Sequence, residues 1–246
     1  MRSNGFWKKF LNKILTFNNF RVNLKQRYET LLWNDAGEVK RMANRIEGVQ
    51  ENIIRIATKE FLTYGYQNAS LRRIAAEAGT STNSIYVRFC DKEGLFREIV
   101  RPVADTFFQM YVGESNYFEQ NTPDMPYEEM FCYSFEVVKP LLDYVYEHFD
   151  SFKLLICCAN GTYYSDFIHD LAKVEAESTM HYLQAVHNEA FSTGKVSLKF
   201  LHMVSSAYLS GFFEIVKHDM SREEAGIYVE QLQKFFYSGW KDIFEI

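Results

Sequence analysis

The sequence predicts an all-α chain: a small three-helix head built around a helix-turn-helix, followed by a larger all-helical body. Three observations carry that prediction. Only 4 Pro and 12 Gly stand among 246 residues, so long helices meet few breakers. Apolar residues recur at intervals of three and four through most of the chain, and no stretch alternates as a half-buried strand does. With 47% hydrophobic and 24% charged residues the composition is that of a folded globule, not of a disordered polymer.

Residues 1–41 form a leader with two readings. From Gly5 to Leu15, Phe6, Phe10 and Ile14 line one helical face, with Trp7, Leu11 and Leu15 beside them. Lys8, Lys9, Asn12 and Lys13 lie mainly opposite. That is the pattern of a basic amphipathic helix on a membrane surface, and residues 6–17 would then anchor the protein. A secretory signal is excluded, because lysines interrupt the apolar stretch and no small-residue cleavage site follows. In the second reading Gly37-Glu38-Val39 is encoded by a purine-rich ribosome-binding string two codons ahead of Met42. Translation is then expected to start at Met42, with no membrane partner.

The head spans residues 42–101. From Glu47 to Tyr64, the positions Ile53, Ile56, Ala57, Phe61 and Tyr64 make an amphipathic helix, which ends at Gly65. Ser70 is placed as the N-cap of a short helix over Leu71–Ala78, and Ser81 as the N-cap of another over Thr82–Phe89. Between them Gly79 makes the turn, and Ala75 and Ala78 are small where the two helices must meet. The outcome is helix, tight turn, helix, a geometry whose second helix enters the DNA major groove. Asp91 caps a further helix from Lys92. Ile74, Ala75, Ile85 and Phe89 are read as core.

The run from Ser70 to Phe96 closely resembles the signature of the TetR family of bacterial transcription regulators. Its elements are Ile74-Ala75 followed by Ala78-Gly79, then Ser81 with Ile85-Tyr86 and Phe89, then Asp91-Lys92-Glu93 with Leu95. The resemblance covers about fifty residues of the head and implies DNA roles residue by residue. Ser81 caps the recognition helix, and Thr82, Asn83 and Ser84 open it and reach base edges, the Asn83 amide suiting adenine. Tyr86, Val87 and Arg88 lie along the groove wall, Tyr86 on a phosphate. Lys92 shares a phosphate with the N-terminus of its helix, and Ser70 and Arg72 contact the backbone on the other side. Family members often carry Gly at the position of Asn83 and an aromatic at that of Arg88, departures that bear on which operator is read.

Beyond the head, Leu95, Ile99, Val103, Phe107 and Tyr111 keep a four-residue spacing straight through Pro102. A kinked helix is expected there, Pro102 being either a hinge between head and body or an ordinary helix boundary. The body, residues 102–246, shows helical patterns over 127–148, 150–159, 164–192, 197–217 and 222–244, the last opening with the capping box Ser221-Arg222-Glu223-Glu224.

The last two helices carry more apolar surface than one face needs. The resemblance implies a four-helix bundle with a second copy of the chain, with Tyr208, Phe212, Leu232, Phe236 and Trp240 in the seam. It also implies a small-molecule effector held among body aromatics, for which Phe107, Tyr111, Tyr133, Phe152, Tyr164 and Phe167 are the candidates. Most aromatics are nonetheless core.

Charge follows the same division. Residues 42–101 hold nine Lys/Arg against seven Asp/Glu, whereas residues 102–246 hold nine against 22. A mildly basic head on an acidic body suits nucleic-acid binding through one end. Cys90, Cys132, Cys157 and Cys158 lack CxxC spacing and are read as reduced buried thiols, and no histidine pattern suggests a metal. No phosphate-binding glycine loop or nucleophile elbow occurs. An enzyme pairing Cys157 or Cys158 with His169 is disfavoured, since nothing sets a base or oxyanion donor beside those thiols. The expectation is a cytoplasmic, nucleoid-associated, cofactor-free homodimeric repressor on a pseudo-palindromic operator, released by a small molecule.

Overall fold

A computed structural model describes residues 47–121 and 127–244, and every described element is helical or a turn. The leader, with both readings of it, lies outside the described residues, as does the side chain of Tyr133. Contacts divide the chain between Asn52 and Ile53, and residues 53–246 make one compact unit.

The head contains α1 (Glu47–Asn68), α2 (Leu71–Glu77) and α3 (Thr82–Phe89). Gly65 breaks the helical path of α1 with φ 70°, a conformation that costs glycine nothing sterically. The three helices close on Ile53, Ile56, Ala57, Phe61, Ile74 and Ile85, each at most 1% exposed. These are the expected positions apart from Tyr64, which is 48% exposed at the end of the helical path rather than part of the core.

Next, α4 (Lys92–Asn121) runs through Pro102 without a break. Its N-terminal part still belongs to the head, where Phe96 meets Phe61 edge-on at 5.1 Å. Its middle enters the body, where Phe107 lies 5.2 Å from Phe152, 5.7 Å from Phe213 and 6.2 Å from Phe167. One continuous helix thus has a ring in each core.

The body continues with α5 (Tyr127–Glu147), α6 (Phe149–Lys153) and a π-turn over Leu154–Cys158. A 3-10 turn (Tyr163–Asp166) leads into α7 (Phe167–Ala185). The long helix predicted over 164–192 is cut at its end by His187, whose φ of 54° ends helical hydrogen bonding, and a short α8 (Glu189–Ser192) follows. The pattern over 197–217 also resolves into two pieces, α9 (Leu198–Phe212) and α10 (Glu214–Lys217), hinged at Phe213. Apolar periodicity continued across both breaks, because each new helix buries its own apolar residues in the same body.

The final helix, α11 (Arg222–Phe244), starts with the expected reciprocal cap. Ser221 N–H donates to Glu224 Oε2 at 2.8 Å, and Glu224 N–H donates to Ser221 Oγ at 3.2 Å. α7 packs along both α4 and α9, and α11 lies against α9 and α5.

Candidate nucleic-acid interface

The helix-turn-helix is held by local capping. Ser70 Oγ accepts from Arg73 N–H, and Ser81 Oγ accepts from Ser84 N–H at 3.1 Å. At the turn, Gly79 has φ 65°, and Thr80 N–H donates to Ala75 O at 2.9 Å. These bonds fix where α3 begins and which of its faces points outward.

Two features that sequence reasoning missed lock the assembly. Glu60, with a side chain only 7% exposed, accepts from Ser70 N–H at 2.8 Å and from Arg73 Nε and Nη2 at 2.8 and 2.5 Å. Arg73 also donates to Asn68 O at 3.0 Å and lies 4.3 Å from the centre of the Tyr64 ring. The carboxylate of α1 thereby holds the start of α2. The signal was present in the sequence: Glu60 stands on the apolar face between Ala57 and Phe61.

The second is Gly94. A Cβ there would come within 1.8 Å of the Phe89 carbonyl oxygen, because Cys90 turns the chain sharply with φ 66°. Asp91 caps α4 as expected, accepting from Gly94 N–H at 2.6 Å. A glycine in the first turn of a helix, where it weakens the helix, was the available hint.

The proposed DNA-contacting residues fall into two groups. Arg72, Asn83, Tyr86 and Val87 are exposed, Tyr86 at 51% and Val87 at 70%. An apolar Val and a Tyr left this open on a short, well-anchored helix face outward together. Ser70, Thr82 and Ser84 are partly covered, and the hydroxyls of Ser70 and Ser81 are engaged in capping.

Two cations are held by the protein itself. Arg88 Nη1 donates to Ser84 O at 2.9 Å and to Ser84 Oγ, while its Nε is buried with no hydrogen-bond partner among the described residues. Lys92 Nζ donates to Gln67 O at 3.0 Å and Ala69 O at 3.3 Å and sits 4.7 Å from the Tyr66 ring centre. Its ammonium joins the start of α4 to the end of α1. Since an ammonium has three protons, one remains for a further acceptor.

In the body, Phe107, Phe152 and Phe167 are each no more than 3% exposed, packed ring against ring with Phe213. Tyr164 is buried in the 3-10 turn. Tyr111 differs, for its hydroxyl donates to Glu175 Oε2 at 2.6 Å. Of the residues assigned to a dimer seam, Phe212 is 4% exposed and meets Phe213 of its own chain edge-on at 5.1 Å. Leu232 packs over Gly211, Phe236 meets Tyr208 at 5.3 Å, and Trp240 stacks on Phe244 at 4.9 Å. The most open apolar side chains of α9 and α11 are instead Met203 (61%), Ile227 (57%) and Phe235 (75%), with Leu198 and Phe200 less so.

Residues 53–99 match the family model described as bacterial regulatory proteins, tetR family. None of the curated proteins matches the chain. Among solved structures, a protein of Mesorhizobium loti MAFF303099 assigned as a TetR-family transcriptional regulator is 19% identical, with 78% of this chain and 96% of that one covered and a TM-score of 0.41. A transcriptional regulator (TerR/AcrR family) from Aquifex aeolicus VF5 is 18% identical, with 77% and 98% covered and a TM-score of 0.47. The family match and the capped helix-turn-helix fall on the same residues, so the chain carries a helix-turn-helix head that matches the tetR family of bacterial regulatory proteins.

Proposed function

We propose that the chain is a homodimeric repressor that reads a pseudo-palindromic operator through α3 and lets go when a small molecule enters the helical body. The head, residues 42–101, supplies the DNA contacts, and the body, residues 102–246, supplies the dimer seam and the effector site. The observation that supports it best is the outer face of the helix-turn-helix. Asn83, Tyr86 and Val87 stand clear of the protein on a helix whose start is fixed by Ser81 and whose end is fixed by the Phe89–Gly94 junction. Asn83 offers the bidentate amide that suits adenine, and Val87 offers an apolar contact of the kind a thymine methyl accepts. Tyr86, Arg72 and the remaining proton of Lys92 address phosphates.

Dimerisation is supported by Met203, Ile227 and Phe235, large apolar side chains left open on two adjacent helices. Selection from a pool of randomised duplexes tests the whole reading. The enriched sequence should be two-fold related, its half-sites one helical turn apart, about 34–36 Å. Asn83→Ala should relax preference at one base pair per half-site, at a cost of about 1–3 kcal/mol. Enrichment of no sequence, or of an asymmetric single site, would refute the operator geometry.

A further inference from the structure

We infer that Ser84 and Arg88 act together as one paired hydrogen-bond donor that selects a guanine in the major groove, an assignment resting on the operator reading proposed above. The two residues stand four apart on α3 and share one of its faces, beside Asn83 and Val87. Long side chains on a helix lean back toward its N-terminus. Arg88 does so, its Nη1 donating to Ser84 O at 2.9 Å and to Ser84 Oγ. The guanidinium is thereby held at the level of the residues that open α3, the end of a recognition helix that meets base edges.

The pair keeps unused protons. A guanidinium carries five N–H donors and no acceptor. In Arg88, Nε is buried without a partner among the described residues, and Nη1 is held by Ser84. Nη2 also has no partner among the described residues, yet it is not buried, so its protons are open to an incoming acceptor. The Ser84 hydroxyl accepts from Arg88, which turns its own proton away from the guanidinium. No acceptor for that proton stands among the described residues. A hydroxyl that accepts from a cation becomes a stronger donor, because hydrogen bonds in a chain polarise one another.

Base edges answer two adjacent donors differently. In the major groove guanine presents two acceptors, N7 and O6. Adenine sets an amino donor beside its acceptor, cytosine presents an amino donor, and thymine has one acceptor beside a methyl. Guanine alone satisfies both donors. Against adenine or cytosine an amino group would face the guanidinium, donor against donor, in a contact emptied of water. The tie to Ser84 adds to the preference in a second way. An arginine side chain ordinarily loses rotamer freedom on binding, and here much of it is already lost in the free protein.

The test takes the full chain through selection from randomised duplexes, then measures affinity for the enriched duplex with single bases replaced. One guanine per half-site should be required. Inosine in its place keeps N7 and O6 and should change affinity by less than about two-fold, whereas 7-deazaguanine or adenine should weaken binding about ten-fold. Arg88→Met keeps the apolar stem and removes the donors, so it should bind the guanine and adenine duplexes within about two-fold of each other. Ser84→Ala should lose much of the same preference, and the double variant no more than Arg88→Met alone, because the two residues act as a unit. An enriched duplex with no shared guanine, or a guanine preference that survives Arg88→Met, overturns the assignment. So does an Arg88→Met chain that melts lower and binds every duplex more weakly by one common factor, for then Arg88 only braces α3. If the unaltered chain enriches no duplex, the operator reading falls and this assignment with it. If it enriches a two-fold operator whose guanines are indifferent to Ser84 and Arg88, this assignment alone falls.

Discussion

Gly94 shows how one residue without a side chain sets the geometry of a binding surface. The Cys90 turn lays the Phe89 carbonyl against the first turn of α4, leaving no room for a Cβ. Gly94→Ala must push α3 away from α4. The expected cost is about 1–3 kcal/mol of stability, the usual range for forcing a methyl group into a filled site. Operator affinity should fall with it, and thermal melts alongside gel shifts check both. Arg72 and Lys92 separate positioning from charge. Arg72 is exposed on α2, so Arg72→Ala should leave the melting temperature within a degree or so while lowering the salt slope of DNA binding by about one unit. Lys92 also ties Gln67 and Ala69 to α4, so Lys92→Ala should lower both the slope and the melting temperature. If Lys92→Ala leaves the slope unchanged, its ammonium is a structural tie alone and the phosphate is held by something else.

At the scale of elements, caps decide where helices begin, and α11 is the test case because its cap is complete. Ser221 and Glu224 satisfy each other's backbone N–H, and the Ser221 hydrogen bonds hold the Glu224 carboxyl below the usual carboxylate range. Ser221→Ala should cost about 1 kcal/mol, the usual worth of an N-cap. In a domain of this size that is a fall of roughly 2–4 °C in melting temperature. DNA binding per folded molecule should not change, since α11 packs against α9 and α5 in the body. The breaks at His187 and Phe213 belong to this scale too. Each divides one predicted helix, and neither is marked by Gly or Pro, the residues that usually announce a stop.

At the scale of the whole molecule the proposal to test is the homodimer. Phe235 is 75% exposed, so in an isolated protomer Phe235→Glu changes stability little. In a dimer closed over α9 and α11 it would bury an unpaired carboxylate, at a cost of several kcal/mol. The variant should elute as a folded monomer and lose operator affinity, because two half-sites need two linked heads. Phe236→Glu is a poorer probe, since its ring already meets Tyr208 within the chain. A Phe235→Glu chain that stays dimeric with full operator binding moves the interface elsewhere. Head and body also meet within the 53–246 unit. Tyr163 N–H donates to Glu93 Oε1 at 3.2 Å, and Gly161, with φ 83°, lies where a Cβ would come 3.1 Å from the Gln67 side chain. Glu93 stands one residue after Lys92, so the body touches the head at the first turn of the helix both share.

The sequence by itself determined what acts over a turn or two of helix. The caps at Ser70, Ser81, Asp91 and Ser221, the turn at Gly79, the buried face of the head and the all-helical body were all legible, because capping and periodicity relate residues three or four apart. The helix-turn-helix that matches the family model was legible for the same reason. Only the tertiary structure decided the pairings across longer separations. Glu60 with Arg73, Lys92 with Gln67 and Tyr111 with Glu175 lie 13, 25 and 64 residues apart. A hydrogen bond between distant residues depends on how helices stack, and periodicity says which face turns inward without saying what it will meet. The same limit explains Phe212 and Phe235. Both are apolar residues on predicted amphipathic helices, and packing alone made one a core ring and left the other open.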